Sequence, residues 1–410
     1  VATVTMLLES LRRYPDVEAD NLFAWDASDR LILARWSSER RAGVGAGAPA
    51  PSGPVSEGSE LVVINDNYGA LTLGAAAAMG AGRPAGAAAD SIRVYQDDLL
   101  GELALGHNAR AAGFTGYDSH PLDETLLAGA RTVLMQLPRS LDELDDIARA
   151  IAAWAAPDVT VYAGGRIKHM TVAMNDVFLR YFDRVDVSLA RQKSRVLTVT
   201  GGVGRVTPPV PREREHDGLR VAAFGGVFAG TSIDAGTRLL LTVLRRARPD
   251  ARDAIDLGCG TGVLAASLAL ARPGLRVTAT DQSRAAVASA ARTAGLNGVA
   301  DRVEVVRDDG LASRPDASAD LIVLNPPFHI GAAVHTGLAQ RMFADAARVL
   351  RPGGQLWTVF NSHLGYRREL ARVVGPTDLV THDSTFTVTA STKQNEKDSN
   401  GQHAGRSRHR

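Results

Sequence analysis

Residues 254–262 read Ala254-Ile-Asp-Leu-Gly-Cys-Gly-Thr-Gly262. Apolar residues lead into Asp256, and glycines follow at 258, 260 and 262. An alanine-rich apolar stretch, Val263 to Ala271, comes next and is stopped by Pro273-Gly274. This pattern predicts a buried strand, a tight glycine turn, and a helix whose N-terminus points at whatever lies over the turn. Glycine suits such a turn because a Cβ would block positive φ and hold a ligand off the backbone.

The dinucleotide fingerprint G-x-G-x-x-G does not fit, since Val263 takes the slot of its third glycine. No Lys-Ser/Thr follows the glycines, so the turn is not a phosphate-cradling P-loop either. The run Asp-Leu-Gly-Cys-Gly-Thr-Gly resembles motif I of S-adenosylmethionine-dependent methyltransferases, and the downstream spacing supports that over an ordinary βα turn. Asp281 ends the expected strand Arg276 to Thr280, 25 residues after Asp256. In doubly wound folds an acid at that strand end accepts from ribose hydroxyls. Asp308-Asp309 follows the next strand, Val303 to Val306, and one of these carboxylates, with Asp309 preferred, is placed to accept from an adenine amine. The candidate cofactor-binding set is therefore Asp256, Gly258, Cys259, Gly260, Asp281, Asp308, Asp309 and Asn325. Cys259 reads as a small side chain filling the turn, not as a nucleophile.

The reaction is read from Asn325-Pro-Pro-Phe-His329, which follows the buried run Asp320 to Leu324. Each proline keeps the residue before it out of the α region, so the turn is stiff. It can hold the Asn325 carboxamide oxygen and the Pro326 carbonyl at fixed positions. Two acceptors suit methylation of a planar exocyclic amine: its lone pair is delocalised into the ring, and hydrogen bonds to both N–H groups localise charge on nitrogen as it attacks. Phe328 offers a face for a flipped base, worth about 1–3 kcal/mol of stacking. Asn325, Pro326 and Phe328 are the candidate catalytic residues; His329 can touch substrate or pack.

Upstream, Leu61 to Ile64, Ser91 to Tyr95, Thr132 to Leu137 and Val159 to Ala163 read as strands that alternate with helices. A parallel sheet covered on both faces is expected. The rhythm recurs: 69 residues separate Asp256 from Asn325, and 71 separate Asn65 from Gln136. The segment from Val94 to Gly113 also parallels the one from Val277 to Gly295. The fold class is thus α/β, with two tandem Rossmann-like methyltransferase domains. The first copy keeps only Gly69 of the three glycines and has Gln136-Leu-Pro-Arg139 in place of Asn-Pro-Pro-Phe. It is expected neither to bind the cofactor in the usual way nor to catalyse.

The expected organisation is a degenerate domain over 1–200, a linker over 201–217, a catalytic domain over 218–393 and a disordered tail over 394–410. Residues 41–60, almost devoid of large apolar side chains, are expected to be a disordered loop within the first domain. The last strand, Thr385 to Ala390, is expected as an antiparallel edge. At 410 residues, 45% hydrophobic and 22% charged, the composition is that of an ordinary globular chain. No apolar run reaches the length of a membrane span, and the early apolar residues are broken by Glu9, Arg12, Arg13 and Asp16. One cysteine excludes an internal disulfide and fits a cytoplasmic setting. No membrane and no metal are expected. With a net charge of +1, contact with nucleic acid must come from a local patch. Arg166, Lys168, Arg191, Lys193 and Arg195 supply the best candidate, although such a run can also be a solvated face.

Gly226-Val-Phe228 with Asp234 and Gly236, the glycine run at 256–262 and the Asn-Pro-Pro-Phe-His at 325–329 together resemble the bacterial ribosomal RNA guanine-N2 methyltransferases with tandem domains. Phe23 to Asp29, Asn65 to Ala70 and Asn361 to Tyr366 look more like the large-subunit (23S) enzyme than the small-subunit (16S) one. The resemblance implies a first domain that assists RNA binding, a catalytic second domain, S-adenosylmethionine as cofactor, and ribosomal RNA, free or in an assembling subunit, as partner. The insertion at 41–60 departs from the compact family pattern. The same tetrapeptide also serves adenine-N6 and glutamine methylation. Phe328 with His329 and the decayed first copy favour guanine. A non-enzymatic RNA-binding factor is disfavoured by the intact second copy, and a nicotinamide-dependent oxidoreductase by Val263 and the Pro-Pro turn.

Overall fold

The structure is a computed structural model that describes residues 2–45, 60–80, 91–204, 206–327 and 332–394. It divides into two units between Val210 and Pro211.

In the first unit, helices α1 (Ala2–Ser10) and α2 (Ala27–Gly45) precede the sheet. Strands β1 (Leu61–Ile64), β2 (Ile92–Tyr95), β3 (Tyr117–Ser119), β4 (Thr132–Gln136) and β5 (Thr160–Arg166) then alternate with α3 (Ala70–Gly80), α4 (Leu99–Ala111), α5 (Glu124–Leu127) and α6 (Leu141–Trp154). After α7 (Ala173–Phe178), β6 (Phe182–Val187) and β7 (Ser194–Gly202) close the unit. The strand order is β3-β2-β1-β4-β5-β7-β6, parallel through β5 and antiparallel beyond it. Alternate residues of β1 enter opposite cores: Val62 and Ile64 on one face, Leu61 and Val63 on the other. That double burial explains why the central strands read as unbroken apolar runs.

The second unit opens with a hairpin, β8 (Arg212–His216) against β9 (Leu219–Ala223), and helix α8 (Ala235–Val243). Strands β10 (Asp253–Leu257), β11 (Arg276–Asp281), β12 (Val303–Arg307), β13 (Ala319–Leu324) and β14 (Leu350–Asn361) follow, with α9 (Val263–Ala271), α10 (Arg284–Leu296) and α11 (Ala332–Val349) between them. Helix α12 (Arg367–Val373), β15 (Thr377–His382) and β16 (Phe386–Thr392) complete it. The order β12-β11-β10-β13-β14-β16-β15 repeats that of the first sheet strand for strand. The helices start at side chains that satisfy first-turn N–H groups. Ser140 accepts from Glu143 N ahead of α6, and Ser283 accepts from Ala286 N ahead of α10.

Four expectations change. The final strand β16 is not the edge: it lies between β14 and β15, because α12 lets the chain return as an outer strand first. The first unit carries an antiparallel pair, β6 and β7, where only basic segments were read. Residues 41–45, expected within a disordered loop, are the last residues of α2, whereas 46–59 lie outside the described residues. The stretch expected as a linker over 201–217 has strands at both ends, β7 to Gly202 and β8 from Arg212, leaving 203–211 between them. The tail beyond 394 lies outside the described residues.

Candidate active site

At the C-terminal end of β10 the chain turns through Gly258, Gly260 and Gly262, all with positive φ (+70°, +52° and +75°). Asp256 is buried and turned into the helix behind: its Oδ2 accepts from Ala265 N at 2.9 Å, and burial pushes its carboxyl up to about 7. It therefore secures the turn against α9. The N–H groups of Gly258 and Cys259 both donate to Thr280 O, at 2.8 and 2.9 Å, which ties the turn to β11. Burial also pushes the Cys259 thiol up, so it stays protonated as a packed side chain.

Asp281 stands beside the turn. Its Oδ2 accepts from Gly260 N at 3.0 Å and its Oδ1 from Ser283 N at 3.0 Å. A carboxylate is acceptor-only, the character that suits a ligand hydroxyl. The adjacent acids diverge. Asp308 is buried with both oxygens accepting from Ser313 N, and Oδ2 also from Ser313 Oγ at 2.8 Å. Asp309 is less buried and pairs with Arg341 at 2.7 Å.

Asn325 follows β13, beside the N-terminus of α8. Its Nδ2 donates to both oxygens of Asp234 at 3.3 Å and to Thr237 Oγ1 at 3.0 Å. Its Oδ1 is buried and has no hydrogen-bond partner among the described residues. Pro326 is buried and Pro327 exposed; Phe328 and His329 lie outside the described residues. Asp234 and Thr237 were missed in these roles. Asp234 stood in the sequence only as part of the resemblance-bearing segment with Gly236, and both residues fit the Asp-x-x-Thr pattern of a helix N-cap; Asp234 does accept from Thr237 N at 3.1 Å.

The first unit shows how the same frame has been filled. Gln96 precedes α4 by the spacing at which Asp281 precedes α10. Its carboxamide closes on Asn67 both ways, Oε1 accepting from Asn67 N at 3.2 Å and Nε2 donating to Asn67 O at 3.0 Å. Asp66 does what Asp256 does, accepting from Leu71 N and Thr72 N at 2.6 and 2.8 Å. Gln136 stands where Asn325 stands: its Nε2 donates to Asp29, and its Oε1 accepts from Ser28 Oγ at 3.0 Å. A cleft of about 370 Å³ remains at this end of the sheet, reaching Asn67, Gln96, Gln136, Arg139, Glu143 and Arg166.

The five candidate RNA-facing cations come together from both sides of the β5–β7 pairing. Arg166 is opposite Ser194, Gly165 opposite Arg195, and Ile167 N donates to Lys193 O at 2.9 Å. Arg191 and Ser194 close the turn between β6 and β7. Lys168, Arg191, Lys193 and Arg195 are exposed and Arg166 is half-buried; none of the five is ion-paired among the described residues. Arg139 joins them: partial burial, then the charges of Arg139, Lys168 and Arg166, hold His169 below the usual imidazole range.

Among the described residues no group of three His, Cys, Asp or Glu side chains can hold a metal, and no helix is long and apolar enough to cross a membrane. Residues 218–390 match the family model described as methyltransferase small domain, and residues 3–202 match the RLMG N-terminal domain. The chain is 35% identical over 403 residues to a ribosomal RNA large subunit methyltransferase G of Streptomyces avermitilis, covering 94% of this chain and 97% of that one. It is 32% identical to the protein of that name from Shewanella amazonensis, covering 93% and 96%. Among solved structures, a T. thermophilus 16S rRNA N2 methyltransferase in complex with AdoMet and guanosine superposes with a TM-score of 0.67 at 21% identity, covering 94% of both chains. That likeness shows the same two-domain fold.

Proposed function

The chain belongs to the ribosomal RNA large subunit methyltransferase G family, and from that premise we propose that it methylates the exocyclic N2 amine of a guanine in 23S ribosomal RNA, using S-adenosylmethionine. The observation that carries this reading is the buried, unpartnered Oδ1 of Asn325. A buried acceptor left unmade costs about 1–3 kcal/mol, which a substrate N–H would recover.

The residues fit the cofactor. A methyl group added at Gly260 would meet nothing within 4 Å, so the space over the turn is open to a ligand. Asp281 beside it accepts from ribose hydroxyls. Asp309, less buried than Asp308 and paired with Arg341 through Oδ2, is assigned to the adenine amine. Asp256, Gly258 and Cys259 shape the turn. When bound, S-adenosylmethionine supplies an electrophilic methyl group on a positively charged sulfur.

Asn325 Oδ1 and the Pro326 carbonyl take the two N–H groups of the guanine amine. The Asn325 carboxamide is held before the substrate arrives, so its oxygen stabilises the charge that develops on nitrogen without reorganising. Phe328 is assigned to stack on the base. Arg166, Lys168, Arg191, Lys193 and Arg195 are assigned to RNA phosphates, where clustered and uncompensated cations bind. In the first unit Gln96 and Gln136 are consumed internally, and we assign that unit to holding RNA.

Asn325→Ala tests the reading. Cofactor affinity, measured calorimetrically, is expected within about threefold of wild type, whereas methyl transfer to 23S RNA falls by about 10²-fold or more, the usual effect of losing one preorganised polar contact. Transfer at the wild-type rate would refute it.

A further inference from the structure

The two ends of a carboxamide are nearly the same size but opposite in hydrogen-bonding character, and the terminal torsion of Asn is soft. A site that depends on Asn325 Oδ1 must therefore stop the amide from turning over. We propose that Asp234 and Thr237 are positioning residues that fix the orientation of the Asn325 carboxamide and so present its oxygen to the substrate amine; this rests on the reading of Asn325 given above.

The geometry is one-sided. A carboxylate is acceptor-only. Both of its oxygens lie 3.3 Å from Nδ2, and Thr237 Oγ1 lies 3.0 Å from it. If the amide flipped, Oδ1 would face two carboxylate oxygens, and the nitrogen would point a donor at a substrate group that is itself a donor. Asp234 cannot easily swing aside. It is the N-cap of α8, accepting from Thr237 N at 3.1 Å. Thr237 is buried at the same helix start.

The first unit serves as an internal control. α2 packs on β5 and β7 as α8 packs on β14 and β16. It too brings an acid, Asp29, to the nitrogen of the equivalent amide, Gln136. There, however, the hydroxyl comes from Ser28, one residue before the acid, and it faces the oxygen at 3.0 Å, its one proton shared with Asp26 Oδ1. Both ends of that amide are satisfied. In the second unit the hydroxyl comes three residues after the acid and accepts from the nitrogen, so the oxygen is left over. The placement of one hydroxyl around the acid separates a closed amide from one with a free acceptor.

The test is single-turnover methyl transfer with labelled S-adenosylmethionine and 23S RNA, in wild type, Asp234→Asn, Asn325→Ala and the double variant, with cofactor affinity and melting temperature measured for each. Asp234→Asn keeps a good N-cap but puts an amide nitrogen opposite the Asn325 nitrogen, donor against donor. It is expected to lower the rate by about tenfold or more, leave cofactor affinity and melting nearly unchanged, and cause no further loss in the Asn325→Ala background. Thr237→Ser is expected to recover most of the rate that Thr237→Val loses. Asp234→Asn at the wild-type rate would overturn the proposal. So would an equal loss in both backgrounds, since Asp234 would then act independently of Asn325. Those two results leave the role of Asn325 standing, whereas Asn325→Ala transferring at the wild-type rate overturns both.

Discussion

Gly260 and Gly262 share a left-handed backbone, yet they answer to different demands. A Cβ on Gly262 would lie 2.9 Å from Ala290 Cβ and 3.0 Å from Ala290 Cα, so the turn sits directly against α10. A Cβ on Gly260 would meet nothing within 4 Å. Left-handed strain costs either alanine roughly 1–2 kcal/mol; overpacking adds about 1–3 kcal/mol at Gly262 alone. Denaturant unfolding is therefore expected to show Gly262→Ala as the more destabilised variant. Gly260→Ala is expected to stay closer to wild type in stability and to bind S-adenosylmethionine about tenfold or more weakly, because its methyl group enters the space assigned to the cofactor. Unchanged cofactor affinity would contradict that assignment. The glycine spacing is visible in the chain, but the division of labour is not, because Ala290 reaches the turn only through tertiary packing. The same holds for Asn325, whose partners Asp234 and Thr237 lie 91 and 88 residues away in sequence.

The elements easiest to read are the central strands, whose two buried faces make continuous apolar runs, and the helices that begin at Ser or Asp caps. Strand β6 was missed because Phe-Asp-Arg-Val-Asp-Val buries only its first residue and shows no alternation. The turn that follows was missed as well. Its Gln192 and Lys193 take positive φ (49° and 59°) without the Asn-Gly or Gly-Gly that usually marks such a turn. That turn, with the start of β7, presents Arg191, Lys193 and Arg195 as exposed side chains. Replacing all three with Ala is expected to weaken RNA binding and to lower the slope of log affinity against log salt by about two, from about 0.7 per phosphate contact on a single strand. Melting is expected to change little, because exposed side chains away from the core contribute little to stability. Affinity and salt slope equal to wild type would mean that the cluster is only a solvated face.

Across the whole molecule, one strand order occurs twice, and the near-equal spacings from Asn65 to Gln136 and from Asp256 to Asn325 make the repetition legible before any coordinates. What the spacing does not disclose is how the first copy was filled: Gln96 closed on Asn67, and Gln136 satisfied at both ends by Asp29 and Ser28. Those are side-chain outcomes, set by hydrogen bonds between segments remote in sequence. In the second copy Asp281 lies against an open glycine turn and Asn325 keeps a buried free oxygen, so all the chemistry is assigned there. The most direct measurement is methyl transfer from labelled S-adenosylmethionine to separated 23S and 16S RNA, with nucleoside analysis of the labelled product. The expected result is N2-methylguanosine, in 23S RNA, at one position. Label in 16S RNA, label recovered as N6-methyladenosine, or label carried on protein would contradict it.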